Sequence, residues 1–165
     1  MNRIFLALPV ILSDYKGIQN DFDDIVQGRW VPTQNLHLTL QFFGHTFEKE
    51  FLIERLSRLQ LKADASELKG LQCFNDNKVL YAKTDNPSLQ IVHRQVAEAL
   101  DLPHDEAFIP HVTLMRIKKI HHEDLLHKRI HLYDQKVIGR LHPTLQLIQS
   151  LLTPEGAIYT LLKEF

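Results

Sequence analysis

The same four-residue pattern, His-x-Thr-x, occurs twice in this chain of 165 residues, at 37–40 and at 111–114. In each copy apolar residues alternate with polar ones, which is typical of a half-buried strand. Residues two apart in a strand project from the same face, so the His and Thr of one copy point together while the apolar residues face the core. The repeat therefore predicts two similar strands, each presenting an imidazole and a hydroxyl.

The spacing of the two copies predicts internal pseudo-symmetry. A little under half of the chain separates them, and each follows a connection that contains a proline, Pro32 or Pro110. The many short strands, interrupted by a few helices, predict an α+β fold with antiparallel sheets. A pseudo-symmetric pair of the two repeat strands would bring the two imidazoles and the two hydroxyls face to face across one cleft.

The other elements follow from periodicity and turn residues. Ser13 is the predicted cap of a first helix that runs to Val26 and stops at Gly28, before a connector at 29–32. Further helices are predicted at 48–59 and from Pro87 to Pro103, and a polar segment at 121–129. Strands are predicted at 4–8, 36–43, 67–74, 78–83, 111–117, 136–141, 145–152 and 157–162, with turns at 75–77 and 153–156.

Two facing imidazoles suit the opening of a cyclic phosphodiester. One neutral ring takes a proton from the attacking oxygen, and one protonated ring gives a proton to the leaving oxygen. The ordinary histidine pKa of about 6.5 makes both forms accessible near neutral pH. We predict His37 and His111 as catalytic residues and Thr39 and Thr113 as phosphate-binding residues. Arg116 is a further phosphate-binding candidate, although strict alternation places it on the face opposite His111; a structural ion pair is its alternative role.

Composition excludes several classes of function. With 19 basic and 20 acidic side chains the net charge is -1, which argues against sequence-blind binding along a duplex. Cys73 is the only cysteine, so an intramolecular disulfide and a multi-cysteine zinc site are both excluded, and we expect a buried, inert thiol. No Gly-rich phosphate loop, carboxylate cluster, signal peptide or membrane-length apolar run is present, so we expect no metal, no cofactor, no membrane and a cytoplasmic setting.

The remaining histidines and Trp30 offer rival interpretations. His121, His122, His127 and His131 cluster in one segment, and the last two could bind zinc if the segment is helical, although we expect a solvated connector. We expect ordinary surface or half-buried roles for His45, His93, His104 and His142. Trp30 could stack a nucleobase or pack as an anchor under the first strand, and we expect Lys118 and Lys119 to form a solvated edge.

Several segments together resemble a known family. These are Ile4-Phe5-Leu6-Ala7-Leu8-Pro9, Arg29-Trp30-Val31-Pro32 with Asn35 to Leu40, Phe108 and Pro110 to Arg116, and Ser150, Leu152, Pro154, Gly156, Tyr159 and Phe165 near the end. They resemble the two-histidine (2H) phosphoesterase superfamily, and within it the bacterial RNA 2',3'-cyclic phosphodiesterase, or 2'-5' RNA ligase-like (LigT-like), family. Thr33-Gln34 and Met115 depart from the usual residues, and the segment 121–142 matches least.

The resemblance implies that residues 1–165 form a single bilobal domain, in which two antiparallel β-sheets with outer helices form the lobes and the active-site cleft lies between them. It also implies hydrolysis of a terminal RNA 2',3'-cyclic phosphate to a 2'-phosphomonoester. ATP-independent 2'-5' ligation to 5'-hydroxyl RNA is implied as a side activity. By analogy His37 is the general acid toward the 3' oxygen, His111 is the general base on water, and Thr39 and Thr113 hold the phosphate. The implied partners are RNA ends, tRNA fragments among them, and we expect a monomer. Small nucleotide-derived cyclic phosphates as substrates, or a non-catalytic RNA-end binder, are the alternatives.

Overall fold

A computed structural model of the chain describes residues 2–74, 76, 78–103 and 107–165. The first half contains strand β1 (Asn2–Leu12), helix α1 (Tyr15–Phe22), β2 (Val26–Trp30), β3 (His37–Gly44), α2 (Lys49–Ser57), β4 (Ser66–Lys69) and β5 (Leu71–Cys73). The second half contains β6 (Val79–Lys83), α3 (Pro87–Ala99), β7 (His111–Ile120), α4 (Glu123–His131), β8 (Val137–Leu141), β9 (Gln146–Thr153) and β10 (Gly156–Glu164). The predicted turn at 75–77 lies partly outside the described residues, and His104 lies wholly outside them.

The strands form two lobes that meet at one residue pair. One lobe has the strand order β10-β9-β1-β3, and the other has β7 paired with β6 and β2, with β5 beyond β6. Among the described residues, the pair Leu38–Val112 is the one registered contact between β3 and β7, so the two lobes share a continuous sheet. A small extra sheet forms where the end of β1 pairs with β8, which also pairs with β4. The strand pairs are antiparallel, which confirms the predicted bilobal α+β class.

The core lies behind the two repeat strands. Leu38, Leu40, Val112 and Leu114 are all at most 1% exposed and belong to one apolar cluster. Complete burial of such a side chain stabilises the fold by about 1.5–3 kcal/mol. Because every second residue of each repeat is held in this cluster, the intervening His and Thr side chains must project from the other face of the sheet. None of the described helices is both long and apolar enough to cross a membrane.

The structure corrects the first predicted helix. Helix α1 ends at Phe22, and its N-cap is Asp14, whose carboxylate accepts a hydrogen bond from the Gly17 amide at 3.0 Å, rather than Ser13. Gly28, predicted to stop the helix, lies inside strand β2 instead. Ile25 and Val26 are buried where β2 begins. The sequence placed them in the helix because two apolar residues at these positions also fit the helical period.

Two further boundaries differ from the sequence prediction. The predicted strand at 67–74 is interrupted at Gly70, whose φ of +85° is accessible to glycine at little cost. The polar segment at 121–129, for which a helix was one of the predicted alternatives, forms the helix α4 with both bounds shifted by two residues, and its first turn carries Glu123 and Asp124, which complement the helix dipole. Four α-helices therefore stand within the described residues, where the sequence predicted about three.

Gly28 provides a test of how closely β2 and β7 approach. A Cβ atom at this position would overlap the Arg116 carbonyl oxygen and lie 3.0 Å from the Ile117 Cα, both of which are backbone atoms that cannot turn aside. We therefore expect Gly28→Ala to lower the free energy of unfolding by about 1–3 kcal/mol, as measured by urea denaturation followed by far-UV circular dichroism.

The matched control is Gly17→Ala in helix α1. Its Cβ would meet the flexible Asp14 side chain alone, so a gain of about 1 kcal/mol in helix propensity offsets a similar loss of capping. Equal destabilisation by both substitutions would contradict the close β2–β7 approach.

Candidate active site

The pair Leu38–Val112 organises the two repeats around one point. Because β3 and β7 run antiparallel there, His37 lies across from Thr113, and Thr39 lies across from His111. All four side chains leave the sheet on the face opposite the core. Diagonal neighbours on one face of an antiparallel pair lie about 7–8 Å apart, and their Cβ atoms lie somewhat closer together. That separation leaves room for a phosphate group between the two imidazoles.

A β-bulge follows each repeat and changes which residues face this site. Leu40 is skipped between the pairs Ala7–Thr39 and Leu6–Gln41, and Leu114 is skipped between Tyr81–Thr113 and Leu80–Met115. Each extra residue reverses the alternation beyond it, so the fifth residue after each histidine returns to the histidine face. These residues are Phe42 and Arg116. The prediction that Arg116 lies opposite His111 was wrong for this reason.

Each bulge carbonyl accepts a hydrogen bond from a helix side chain. The Leu114 oxygen accepts a hydrogen bond from the Val31 amide at 2.8 Å. It also shares the hydroxyl hydrogen of Tyr15, at 3.0 Å, with the Val31 carbonyl oxygen, which lies 2.7 Å from that hydroxyl. The Leu40 oxygen accepts from Nδ1 of His93 at 2.7 Å. His93, expected to be ordinary and at most half-buried, is therefore a buried structural residue that also stacks on Phe108.

Both candidate imidazoles are oriented in the same way. Nδ1 of His37 lies 2.7 Å from the Asn35 carbonyl oxygen, and Nδ1 of His111 lies 2.8 Å from the Ile109 carbonyl oxygen. A carbonyl can only accept, so Nδ1 carries the hydrogen in each ring, and Nε2 of a neutral ring is left with its lone pair toward the site. In His37 this Nε2 accepts a hydrogen bond from the Thr39 hydroxyl at 3.0 Å.

A Phe–Tyr pair packs against each imidazole. Phe5 stacks on His37 with ring centroids 4.9 Å apart, and Tyr159 meets the same ring edge-on at 5.4 Å. Phe74 and Tyr81 meet His111 edge-on at 4.9 and 5.4 Å. The aromatic walls restrict the rotation of both imidazoles and extend the pseudo-symmetry of the motifs to their surroundings.

The environment of His37 shifts its protonation. Burial lowers the pKa of His37 from its ordinary value, the hydrogen bond to the Asn35 carbonyl opposes this shift, and the positive charge of a protonated His111 adds to it. In the free protein the neutral form of His37 is consequently favoured near neutral pH.

The site opens into a cleft with a volume of about 270 Å³. All five predicted site residues, His37, His111, Thr39, Thr113 and Arg116, line it. Sequence reasoning assigned no site role to the other lining residues, which are Arg3, Phe5, Val31, Phe42, Ser150 and Tyr159. Alternation along the first and last strands, together with the resemblance of those segments to the family, was the signal that could have found Arg3, Ser150 and Tyr159.

The rival features lie elsewhere. Trp30 packs edge-on against Tyr15 and donates a hydrogen bond from Nε1 to Asp23, so it acts as a packing anchor and does not line the cleft. His127 and His131 pair with separate carboxylates, Glu123 at 3.4 Å and Asp134 at 2.8 Å. Within the described parts of the chain, no three His, Cys, Asp or Glu side chains converge as a metal site would require.

The expected buried thiol is present at the edge of the second lobe. Cys73 is buried in β5, and burial raises the pKa of its thiol to about 11. A thiol with so high a pKa stays protonated and unreactive near neutral pH. Lys118 and Lys119 are both exposed, in keeping with the predicted solvated edge.

Comparison with known proteins places this arrangement in context. The family model of the 2'-5' RNA ligase superfamily matches residues 18–142. An RNA 2',3'-cyclic phosphodiesterase of Aquifex aeolicus is 30% identical, over 90% of this chain and 86% of that protein. An RNA 2',3'-cyclic phosphodiesterase of Methanocaldococcus jannaschii is 28% identical over 99% of each chain.

Solved structures share the fold. A crystal structure from Thermus thermophilus aligns with a TM-score of 0.64 and 25% identity over 99% of this chain and 96% of its own. Escherichia coli LigT in complex with 3'-AMP aligns with a TM-score of 0.73 and 19% identity over 99% of this chain and 97% of its own. The likeness therefore extends over both lobes.

The lowered pKa of His37 is open to direct measurement by NMR titration of its ring nitrogens. We expect a midpoint below the ordinary value of 6.5 in the free protein. Tyr159→Ala, which admits water to the ring, should move the midpoint upward, whereas Tyr159→Phe keeps the ring covered and should leave it in place. A wild-type midpoint at or above 6.5, or no rise in the alanine variant, would contradict burial as the cause.

Proposed function

The chain belongs to the 2'-5' RNA ligase superfamily, and from that membership we propose that it hydrolyses RNA 2',3'-cyclic phosphodiester ends to 2'-phosphomonoesters. The proposal treats residues 1–165 as one phosphoesterase domain to which each lobe contributes one motif. The substrate is an RNA end, tRNA fragments included, and one chain supplies both histidines, so a monomer suffices.

One observation carries this proposal. His37 and His111 lie diagonally across the pair Leu38–Val112, each with its Nδ1 hydrogen bonded to a backbone carbonyl and its Nε2 free to exchange a proton in the cleft. Such a pair can remove one proton and deliver another on opposite sides of a single phosphorus atom. The hydroxyls of Thr39 and Thr113 are placed beside them to donate hydrogen bonds to the non-bridging oxygens.

The reaction balances with these groups alone. His111 takes a proton from water as the water oxygen bonds to phosphorus, the bond from phosphorus to O3' breaks, and His37 gives its Nε2 proton to O3'. The product carries a 2'-phosphomonoester and a free 3'-hydroxyl. If the attacking group is instead the 5'-hydroxyl of a second RNA, the same bond breaks and a 2'-5' phosphodiester forms, so ligation needs no ATP.

The general-acid role requires His37 to be protonated, whereas its burial favours the neutral form. The negative charge of a bound phosphate raises the pKa of a neighbouring imidazole, so His37 takes up its proton together with the substrate. Protonation of Nε2 also removes the lone pair that accepts from the Thr39 hydroxyl, which frees the Thr39 hydroxyl hydrogen for a phosphate oxygen. Proton uptake and phosphate binding are thus coupled through these two residues.

Replacement of either histidine tests the proposed division of roles. With an oligonucleotide that ends in a 2',3'-cyclic phosphate, His37→Ala and His111→Ala should each lower kcat by about 10²–10⁴-fold. The double variant should lose less than the product of the two single losses, because the residues act as a unit. A chelator should leave the wild-type rate unchanged, since the proposal involves no metal.

The matched control is His131→Ala. His131 is exposed on α4 and pairs with Asp134, away from the cleft, so turnover should be retained. Wild-type turnover that survives loss of both cleft histidines, or that is abolished by the chelator, would contradict the proposed mechanism.

A further inference from the structure

A row of polar side chains crosses the first lobe beyond the catalytic histidines. Tyr159 of β10 pairs with Ser150 of β9, and Ser150 pairs with Arg3 of β1. Directly paired residues share a face of an antiparallel sheet, and all three line the same cleft as His37. The proposed hydrolysis uses none of them.

Arg3 lacks the partners that a cation in this position ordinarily has. Its Nε is buried without a hydrogen-bond partner, and its guanidinium carbon lies 5.8 Å from the centre of the Phe42 ring. Among the ion pairs of the described residues, none includes Arg3 or Arg116. A buried guanidinium donor without an acceptor is costly unless a ligand supplies one.

The facing wall is also positively charged. Arg116 of β7 lies directly across from Arg29 of β2, and Arg29 donates a hydrogen bond to the backbone oxygen of Glu155 at 3.0 Å rather than pairing with a carboxylate. Burial raises the pKa of Tyr159, and the positive charges of Arg116 and Arg3 oppose this shift. With a net charge of -1 on the whole chain, this end of the cleft is a local concentration of positive charge.

The position of Arg3 separates it from the catalytic phosphate. Ala7 pairs with Thr39, and Arg3 lies four residues further along β1, so the backbone positions of Ala7 and Arg3 are about 13 Å apart at roughly 3.3 Å per residue. A substrate whose terminal phosphate lies between His37 and His111 would therefore present a different anionic group to Arg3.

We propose that Arg3, with Ser150 and Tyr159 beside it, binds the phosphodiester that joins the terminal nucleotide to the rest of the RNA. This inference rests on the proposed function and deepens it. Because a mononucleoside cyclic phosphate has no internucleotide phosphate, the site would bind a polynucleotide end more tightly. This preference would not require any contact to the edges of the bases. Arg3 offers paired N–H donors suited to the two non-bridging oxygens of such a group.

The test compares three substrates: a mononucleoside 2',3'-cyclic phosphate, a dinucleotide with the same cyclic end, and that dinucleotide with an uncharged methylphosphonate linkage. Arg3→Gln should lower kcat/KM for the charged dinucleotide on the order of 10- to 100-fold, the value of one charge-assisted contact. It should leave kcat/KM for the mononucleoside unchanged. With the methylphosphonate dinucleotide, kcat/KM of the wild-type enzyme should fall to the value that Arg3→Gln has with the charged dinucleotide. For Arg3→Gln itself, kcat/KM should be the same with the charged and the uncharged dinucleotide.

The control variant is Arg94→Gln, which removes an exposed arginine of α3 and should alter none of the three rates. Arg3→Lys, which retains the charge, should recover part of the dinucleotide rate. Equal losses on mononucleoside and dinucleotide, or a wild-type enzyme indifferent to the charge of the linkage, would overturn the role of Arg3. Failure of the wild-type enzyme to turn over any of the three would instead contradict the proposed function, and circular dichroism of each variant separates these outcomes from misfolding.

Discussion

The structure depends on one antiparallel residue pair, Leu38 with Val112. Both side chains are completely buried, and their backbones join two lobes that otherwise have separate strand neighbours. An antiparallel pair has a local two-fold relation, so the residues on either side of it are brought together as two equivalent His–Thr sets. The geometry of the proposed catalytic pair is thus a consequence of packing two apolar residues against a common core.

Two bulges convert this frame into a site with different chemistry on its two walls. Each extra residue, Leu40 or Leu114, has its carbonyl held by a helix side chain, and each turns a new residue toward the cleft. In one lobe that residue is Phe42, with Arg3 over its ring, and in the other it is Arg116. The pseudo-symmetric fold therefore presents different side chains on the two walls of the cleft, which suits the different environments that the proposed acid and base require.

The features that the sequence predicted correctly are those that depend on the pattern of neighbouring residues. Alternation around residues 37–40 and 111–114 indicated the strands, the shared face and the pairing of the histidines across a cleft. It missed the bulges because one extra residue in each strand, Leu40 or Leu114, moves the later residues to the other face, and a single sequence does not distinguish this from an ordinary irregularity of the alternation. It missed strand β2 because Ile25 and Val26 satisfy helical and strand periods alike. Alternation within each terminal strand could have indicated that Arg3, Ser150 and Tyr159 share a face with other polar residues. That the three form one row depends on pairing between the two ends of the chain, which a single sequence does not reveal.

The most direct test of the central claim is an experimental structure with vanadate, which adopts the five-coordinate geometry of the phosphoryl transition state. The account predicts one vanadium between the lobes, with Nε2 of His37 and Nε2 of His111 hydrogen bonded to its two apical oxygens. The hydroxyls of Thr39 and Thr113 should donate to equatorial oxygens. Vanadate bound to one lobe alone, or with either imidazole turned away from it, would contradict the claim that both histidines act on one phosphorus.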